Sequence, residues 1–418
     1  MVDVIRKIKL FCHRRYGFIS PSINLLRILP LYSDNRDYVG EYESLFAKGV
    51  GEGICVSFGA GRMAFYSILK CWDIGQGDEV VLTGFTCSVM ANVVFRMGAD
   101  VKYCDIDQDS LGMSPEYLKK IISSKTRVVV AQHSFGIPCK IDEIRTICQN
   151  HNIYLVEDCA LSYMSKYKGK YVGDFGDAAI FATDHTKPIN TLIGGMAYTK
   201  DQVLAQKLRK IQSAADVFGK EHIRGILKRY IWEHRILKNN WYNGFAIMMY
   251  MDVIRNKICR VKKHIYLSGD TNPSIIKDFY PYPAKFPNQL AQIGLEVCRQ
   301  YQSNLSLRRK ILMEFIDMFK EKRMPSMYFS DDADIVPLRI VCFSKDKKGG
   351  IIRDYLSGIW FDKPIINTSC NLRDFNYNGN CKNSENIGDF ILNIPVLFNR
   401  RERRKMLSLV DKYKNEIQ

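Results

Sequence analysis

From residue 53 onward the hydrophobic positions fall into short apolar runs and amphipathic stretches, and the two alternate. Gly53-Ile-Cys-Val-Ser-Phe-Gly-Ala-Gly61 is a short apolar run that ends in a glycine turn, which predicts a strand. Arg62 to Trp72 sets Met63, Phe65, Ile68 and Leu69 at helical spacing. Glu79–Thr83 then reads as a strand, Met90–Arg96 as a helix ended by Gly98, and Asp100–Asp105 as a strand. Pro115–Ile122 reads as a helix that begins on its proline. Thr126–Gln132 is apolar in the manner of a strand buried on both faces; Ile141–Asn150 is a helix and Ile153–Glu157 another strand. This alternation with short turns predicts an α/β fold: a mostly parallel central sheet with helices on both faces. Ligands then bind beyond the carboxyl ends of the strands, where the turn at Gly59–Gly61 and Asp158 both fall.

Past residue 200 the pattern changes. Residues 202–265 carry helical periodicity, many cations, and the aromatics Tyr230, Trp232, Trp241, Tyr242, Phe245 and Tyr250. A proline- and tyrosine-rich connector, 279–287, leads into a long helix expected from about 288 to 320. Residues 335–418 read as a small α+β domain with a strand at Ile335–Phe343 and a closing helix from Arg401. The expected organisation is an irregular lead-in over 1–50, a large α/β domain over 51–280 with a basic helical insertion at 202–265, and a linker helix with the small C-terminal domain over 281–418.

Composition adds three constraints. The 418 residues hold 61 Lys and Arg against 44 Asp and Glu, a net charge of +17 that favours anionic partners. Thirteen cysteines are scattered with no Cys-x-x-Cys pair, which argues against zinc and redox motifs and fits a reducing compartment; no metal site is expected. No run approaches the roughly 18 apolar residues of a membrane span, and the N-terminus lacks a signal-peptide core. A cytoplasmic protein, soluble or peripheral, is the expectation. Nucleic acid is disfavoured because no binding motif accompanies the charge.

Two residues carry the candidate chemistry. Asp158 closes the apolar strand Ile153-Tyr-Leu-Val-Glu-Asp158, and Lys187 precedes a small-residue turn at Gly194-Gly195. A lysine amine and a carboxylate at a buried strand end are the pair a pyridoxal phosphate (PLP) enzyme needs, the first to bond the cofactor and the second to keep its ring nitrogen protonated. Each residue alone also has a plain reading: Asp158 as a helix cap, Lys187 as a solvated loop cation. Ser57-Phe-Gly-Ala-Gly-Arg62 reads either as a tight turn or as a phosphate-binding loop at a helix start, with Arg62 as a charge partner. The order glycine turn, strand-end Asp, then Lys is what joins the three.

Five blocks extend this order: Gly75-Gln-Gly-Asp-Glu-Val-Val, 98–107, His133-Ser-Phe-Gly-Ile-Pro138, Tyr154-Leu-Val-Glu-Asp-Cys-Ala160, and Val172-Gly-Asp-Phe-Gly-Asp-Ala-Ala179. Together they resemble the DegT/DnrJ/EryC1/StrS family of PLP-dependent sugar aminotransferases, most densely over 53–200. The resemblance implies the fold of type I PLP-dependent transferases, PLP as cofactor, Lys187 as the lysine that bonds it, and Asp158 as the ring-nitrogen partner. It places Gly59, Ala60 and Gly61 at the phosphate and Cys87 at a position facing the cofactor; Arg62 and Thr183 are neighbouring candidates to bind the cofactor beside them. His185, two residues before Lys187, is a candidate proton shuttle. The resemblance further implies an amino-acid donor such as glutamate, a nucleotide-linked keto-sugar acceptor, a role in surface polysaccharide or amino-sugar biosynthesis, and a homodimer to which the stretch Lys285–Gln289 reaches across.

The chain departs from the family pattern at four positions. Threonine is usual at Ala60, an aromatic at Cys87, glutamine at Leu161 and serine at Ala182. Ser57, Thr86, Ser162, Thr183 or Arg62 are the neighbours that could substitute. The departures keep two alternatives open: a PLP-dependent sugar dehydratase, or a non-catalytic relative that binds a sugar nucleotide or a partner. The basic aromatic stretch 220–265 reads either as a helical pair packed on the body or as a peripheral membrane contact.

Overall fold

A computed structural model describes residues 36–238, 251, 280–319, 322–345, 361–368, 370–396 and 400–417. In chain order the strands are β1 (Ile54–Phe58), β2 (Glu79–Thr83), β3 (Thr86–Cys87), β4 (Asp100–Cys104), β5 (Thr126–Gln132), β6 (Tyr154–Asp158), β7 (Lys166–Tyr167), β8 (Lys170–Tyr171), β9 (Ala178–Ala182), β10 (Gly195–Thr199), β11 (Ala333–Asp334), β12 (Arg339–Phe343), β13 (Ile365–Ile366) and β14 (Ile391–Pro395). The helices are α1 (Tyr38–Ala47), α2 (Gly61–Cys71), α3 (Ser88–Met97), α4 (Pro115–Ile121), α5 (Ile141–Asn150), α6 (Gln202–Ala214), α7 (Lys220–Lys238), α8 (Asn288–Ser303), α9 (Leu305–Met318), α10 (Lys382–Phe390) and α11 (Arg400–Lys412).

Seven strands form the central sheet in the order β1-β10-β9-β6-β5-β2-β4. The pairs β4–β2, β2–β5, β5–β6 and β6–β9 are parallel, and β10 runs antiparallel to both β9 and β1. The mostly parallel sheet is therefore as expected, with one reversed strand. Its strands are buried along nearly their whole length, as helix-covered strands must be: Val128, Val129 and Ala131 of β5 are fully inside. Gly98 ends α3 in a left-handed conformation (φ 77°), a stop that a residue with a Cβ adopts only at a cost.

Three local expectations change. The lead-in is not irregular over its described part: α1 is capped by Asp37 and buries Tyr42 and Phe46 in the core. The long helix after residue 288 is two helices, α8 and α9, broken at Asn304. The strand expected from Ile335 begins at Arg339, because the preceding residues pack against the large domain: Val336 N–H donates to Ser165 Oγ, and Leu338 N–H to Phe135 O. Within the basic stretch, α7 buries Ile226, Leu227 and Tyr230 and exposes Lys220, Arg224 and Lys228, while Trp241, Tyr242, Phe245 and Tyr250 lie outside the described residues. Among the described residues no helix is long and apolar enough to cross a membrane.

The small domain docks on the carboxyl end of the sheet. Strand β13 pairs in parallel with β3, and the buried Asp105 carboxylate accepts the N–H groups of Asn383 and Ser384 at the start of α10. Here the negative group faces the positive end of the helix dipole.

Candidate active site

Strand alternation decides what each residue at the end of β6 faces. Glu157 and Asp158 point to opposite sides of the sheet. Glu157 is fully buried and accepts four hydrogen bonds: Gly173 N–H (2.8 Å) and the His133 ring (3.0 Å) at Oε2, Phe175 N–H (2.7 Å) and Gly176 N–H (2.6 Å) at Oε1. The ring of His133 accepts Cys139 N–H at Nδ1 (3.1 Å), so Nε2 carries the proton that it gives to Glu157. The backbone N–H of His133 donates to Asp158 O (3.1 Å). His133, Glu157 and Cys159 also group as potential metal ligands. The ring of His133 and the carboxylate of Glu157 are already engaged in these bonds, and burial pushes the Cys159 thiol up to about 12, so the group reads as a brace for the strand end. Sequence reasoning did not find this brace; the charged pair Glu157-Asp158 at a buried strand end was its one signal.

Asp158 turns the other way, toward Lys187. Its side chain is 5% exposed, and Oδ1 accepts Ala160 N–H at 3.0 Å. Burial pushes its carboxyl above the usual range, against the pull of the Ala160 hydrogen bond and the positive charge of Lys187. The structure therefore brings the two sequence-identified residues into one field.

Lys187 stands in the loop between β9 and β10, the neighbours of β6 and β1 in the sheet. The loop is closed at its base. Thr183 N–H donates to Gly194 O (2.8 Å), Thr191 N–H to Thr183 O (2.8 Å), and Thr191 Oγ1 to Thr183 Oγ1 (2.8 Å). Thr183 is thus committed to holding the loop. Inside it, Asp184 Oδ1 accepts both Thr186 N–H (2.8 Å) and Thr186 Oγ1–H (2.6 Å), and Lys187 N–H donates to Asp184 O (3.1 Å). His185 is half-buried.

The glycine turn sits against the same loop. Ala60 bridges to Gly194 and caps α2 without a side-chain hydrogen bond. A Cβ on Gly195 would fall 2.2 Å from Gly61 N, and one on Gly61 would fall 3.1 Å from the Ala182 methyl. The two backbones touch because both are glycine. The amides of Gly61 and Arg62 precede the first internal bonds of α2, which run from Met63 and Ala64 to Ala60 O. Gly59 N–H is taken by Ala284 O (2.8 Å).

The candidate substitutes for missing phosphate hydroxyls separate clearly. Ser57 is buried and bonded to Glu43 (2.6 Å), with Gln212 also upon it. The Arg62 guanidinium donates to Tyr280 OH (2.6 Å). Thr86 is buried in β3, where its N–H meets Pro364 O (2.9 Å). Ser162 is buried with no hydrogen-bond partner for its hydroxyl among the described residues. Leu161 is buried. Cys87 caps α3, half-buried, and its sulfur receives the Asn367 side-chain amide at 3.2 Å. It lies two residues past Phe85, whose carbonyl accepts from Gln132, the register partner of Asp158. The stretch Lys285–Gln289 packs on its own chain: Lys285 N–H donates to Asp216 O (2.9 Å), and Phe286 lies against Gly194.

The mostly parallel sheet, with Asp158 at a buried strand end and Lys187 in the loop beside it, has the fold of the PLP-dependent aminotransferases. Residues 32–226 match the DegT/DnrJ/EryC1/StrS aminotransferase family, so the family likeness read from the motifs holds over this segment. The chain is 31% identical over 190 residues to a GDP-perosamine synthase of Vibrio cholerae, a match covering 46% of this chain and 52% of that one. It thus spans about half the length of the curated relatives it matches. Among solved structures it is similar to a DegT DnrJ EryC1 StrS aminotransferase from Brucella abortus, at TM-score 0.70 and 17% identity over 97% of this chain and 95% of the other. A protein of Streptococcus pneumoniae described as a sugar aminotransferase, solved in its PMP form, matches at TM-score 0.72 and 16% identity over 95% and 98%. These structures share the fold.

Proposed function

We propose that this chain is a PLP-dependent aminotransferase that moves an amino group from an amino acid to a nucleotide-linked keto-sugar, in the cytoplasm and as a homodimer. The observation that carries the proposal is the placement of Lys187 within the field of a buried, strand-end Asp158, on a sheet whose glycine turn opens α2.

The residues fit the cofactor. Asp158 is buried deeply enough that its carboxyl resists ionising, and a cationic ring nitrogen beside it would relieve that cost. A Cβ on Gly195 would collide with the backbone of Gly61, so main chain packs on main chain at the start of α2, where a helix N-terminus favours an anion such as phosphate. Lys187 would bond the cofactor, Asp158 would hold the ring, and the start of α2 would take the phosphate. When bound, PLP supplies an electron sink for the carbanion formed on the substrate.

The chain's own residues do the rest. The amine of Lys187 moves the proton at the reacting carbon. Asp158 would keep a negative charge at the ring nitrogen, with its peptide held by His133. The Thr183–Thr191 closure fixes the loop so that the lysine returns to one place. The relative's name, a GDP-perosamine synthase, supports a GDP-linked sugar as the first acceptor to try, and the net charge of +17 suits a diphosphate.

The test is spectral and chemical. Purified protein is mixed with PLP, its visible band recorded, and the complex reduced with borohydride before peptide mapping. An adduct on Lys187, followed by amine transfer from glutamate or glutamine to a GDP-linked keto-sugar, supports the proposal. An adduct elsewhere or none refutes it. One observation favours a second reading, a non-catalytic relative: Ala60 and Ala182 present methyl groups at the phosphate end. Sugar-nucleotide binding without an adduct would support that reading. Peripheral membrane contact through 220–265 is supported by the exposed Lys220, Arg224 and Lys228 of α7, and co-sedimentation with anionic vesicles tests it.

A further inference from the structure

Two buried phenylalanines outside the central sheet stand on two glycines of the site, one in each of its loops. Gly59 opens the glycine turn, and a Cβ added there would fall 2.7 Å from the ring of Phe218. Gly194 lies at the base of the Lys187 loop with φ 131°, a conformation that residues with a Cβ rarely adopt. A Cβ on Gly194 would fall 2.5 Å from the ring of Phe286 and would also meet Thr183 Oγ1. Phe218 and Phe286 are 4% and 5% exposed. Each ring fills the space its glycine leaves, so a void in its place would strip the loop of contacts on that side.

The main chain joins the two rings. Asp216 bridges to Ala284, and Lys285 N–H donates to Asp216 O at 2.9 Å. Phe218 and Phe286 each lie two residues beyond this junction. The same segment reaches the glycine turn directly: Ala284 O accepts Gly59 N–H at 2.8 Å, and Lys285 bridges to Phe58. Tyr42 of α1 packs on Phe286, with ring centroids 5.6 Å apart, and fixes that ring against the body. The loops that the rings touch are themselves neighbours, because Ala60 bridges to Gly194. We propose that Phe218 and Phe286 are positioning residues that form one clamp and hold the glycine turn and the Lys187 loop at a set separation. A rigid cofactor fastened at its phosphate and at a lysine tolerates little change in that separation, and this use of the clamp rests on the aminotransferase reading. The clamp itself rests on the packing.

Hydrogen–deuterium exchange with peptide mass spectrometry reads both loops in cofactor-free, full-length protein. Phe286→Ala empties the space on Gly194, and peptides covering 183–195 should exchange about tenfold faster, while those of β5 stay within about twofold of wild type. Phe218→Ala should do the same to peptides covering 57–64. Phe286→Leu refills most of the space and should restore the wild-type rate. Unchanged exchange over 183–195 in Phe286→Ala overturns the inference. So does an equal rise in β5, which would make Phe286 a general core residue. If Phe286→Ala fails to fold, Phe286→Val gives the same reading. Where wild type takes up PLP on Lys187, Phe286→Ala should bind it about tenfold more weakly and Phe286→Leu as wild type does; unchanged affinity in Phe286→Ala would overturn the positioning role. Faster loop exchange in the variant, with no PLP adduct in wild type, would sink the aminotransferase reading and leave the clamp standing.

Discussion

The two ends of the site are built on different principles. At the ring end, side chains do the holding. Asp158 is buried, its strand end is braced by the His133–Glu157 pair, and Lys187 sits in a loop clamped by two threonines. At the proposed phosphate end, main chain would do the holding. Ala60 and Ala182 offer methyl groups, Ser57 and Thr183 are committed elsewhere, and the helix start at Gly61 is approached by the bare backbone of Gly195. In the proposed reaction, side-chain chemistry stands where a bond and a proton would be handled. At the proposed phosphate end, backbone amides and a helix dipole would meet the charge by themselves.

The sharpest way to break this comparison is at Lys187. Lys187→Ala should abolish the borohydride-trapped adduct altogether and reduce amine transfer to background, with the fold unchanged by circular dichroism. A persistent adduct would move the site elsewhere. Next in size is Asp158→Asn, which should retain cofactor but slow turnover by roughly 10²- to 10⁴-fold in steady-state kinetics. The same variant has a pH signature. A raised carboxyl binds its proton more tightly in the folded chain, so the folded state loses stability as pH rises past the unfolded value. Removing it should make cofactor-free protein more stable than wild type at neutral pH, with the gap closing toward acid in thermal melts. Destabilisation at neutral pH would show that Asp158 is a structural acceptor instead.

A smaller effect is expected at the phosphate end. Ala182 is half-buried, beside the start of α2. Ala182→Ser adds one donor within reach of that helix start, and a hydrogen bond to a charged group contributes about 1.5–3 kcal/mol. PLP affinity by titration should therefore tighten by roughly tenfold. No change would mean that the phosphate lies elsewhere.

Much of this is legible in the amino-acid pattern. The β5 run Val128-Val-Val-Ala131 announces a strand buried on both faces, and the spacing of Met63, Phe65, Ile68 and Leu69 places α2 with its start at the glycine turn. Asp158 and Lys187 can be named because strand ends and small-residue turns are visible as patterns. What stays hidden depends on contacts between residues far apart in sequence. Helix α1 is invisible to periodicity because it is fixed by packing against α8, and the Gly195 requirement exists only because Gly61 lies 2.2 Å from its missing Cβ. Asp184 does have a local signal, an Asp two residues before a Thr, which favours a side-chain-to-backbone turn. That signal is overshadowed by His185 and Lys187, whose side chains carry the more obvious chemistry.

Thr183 sets the finest test of the comparison, because its place in the chain suggests a phosphate ligand and the structure gives its hydroxyl another task. Its Oγ1 receives the Thr191 hydroxyl at 2.8 Å in a fully buried position, and its backbone N–H and C=O close the same loop. Thr183→Val keeps the shape and the backbone bonds and removes only that acceptor, leaving the Thr191 hydroxyl its bonds to Thr183 O (2.9 Å) and Ile193 O (2.7 Å). The loss is thus one neutral hydrogen bond with the donor still satisfied, about 1 kcal/mol in denaturant unfolding. PLP affinity should change by less than about twofold, because a side chain that only holds the loop contributes nothing directly to the phosphate. A tenfold loss of affinity with stability intact would reverse the assignment: Thr183 would then be a phosphate ligand, and the phosphate end would rest on a side chain after all.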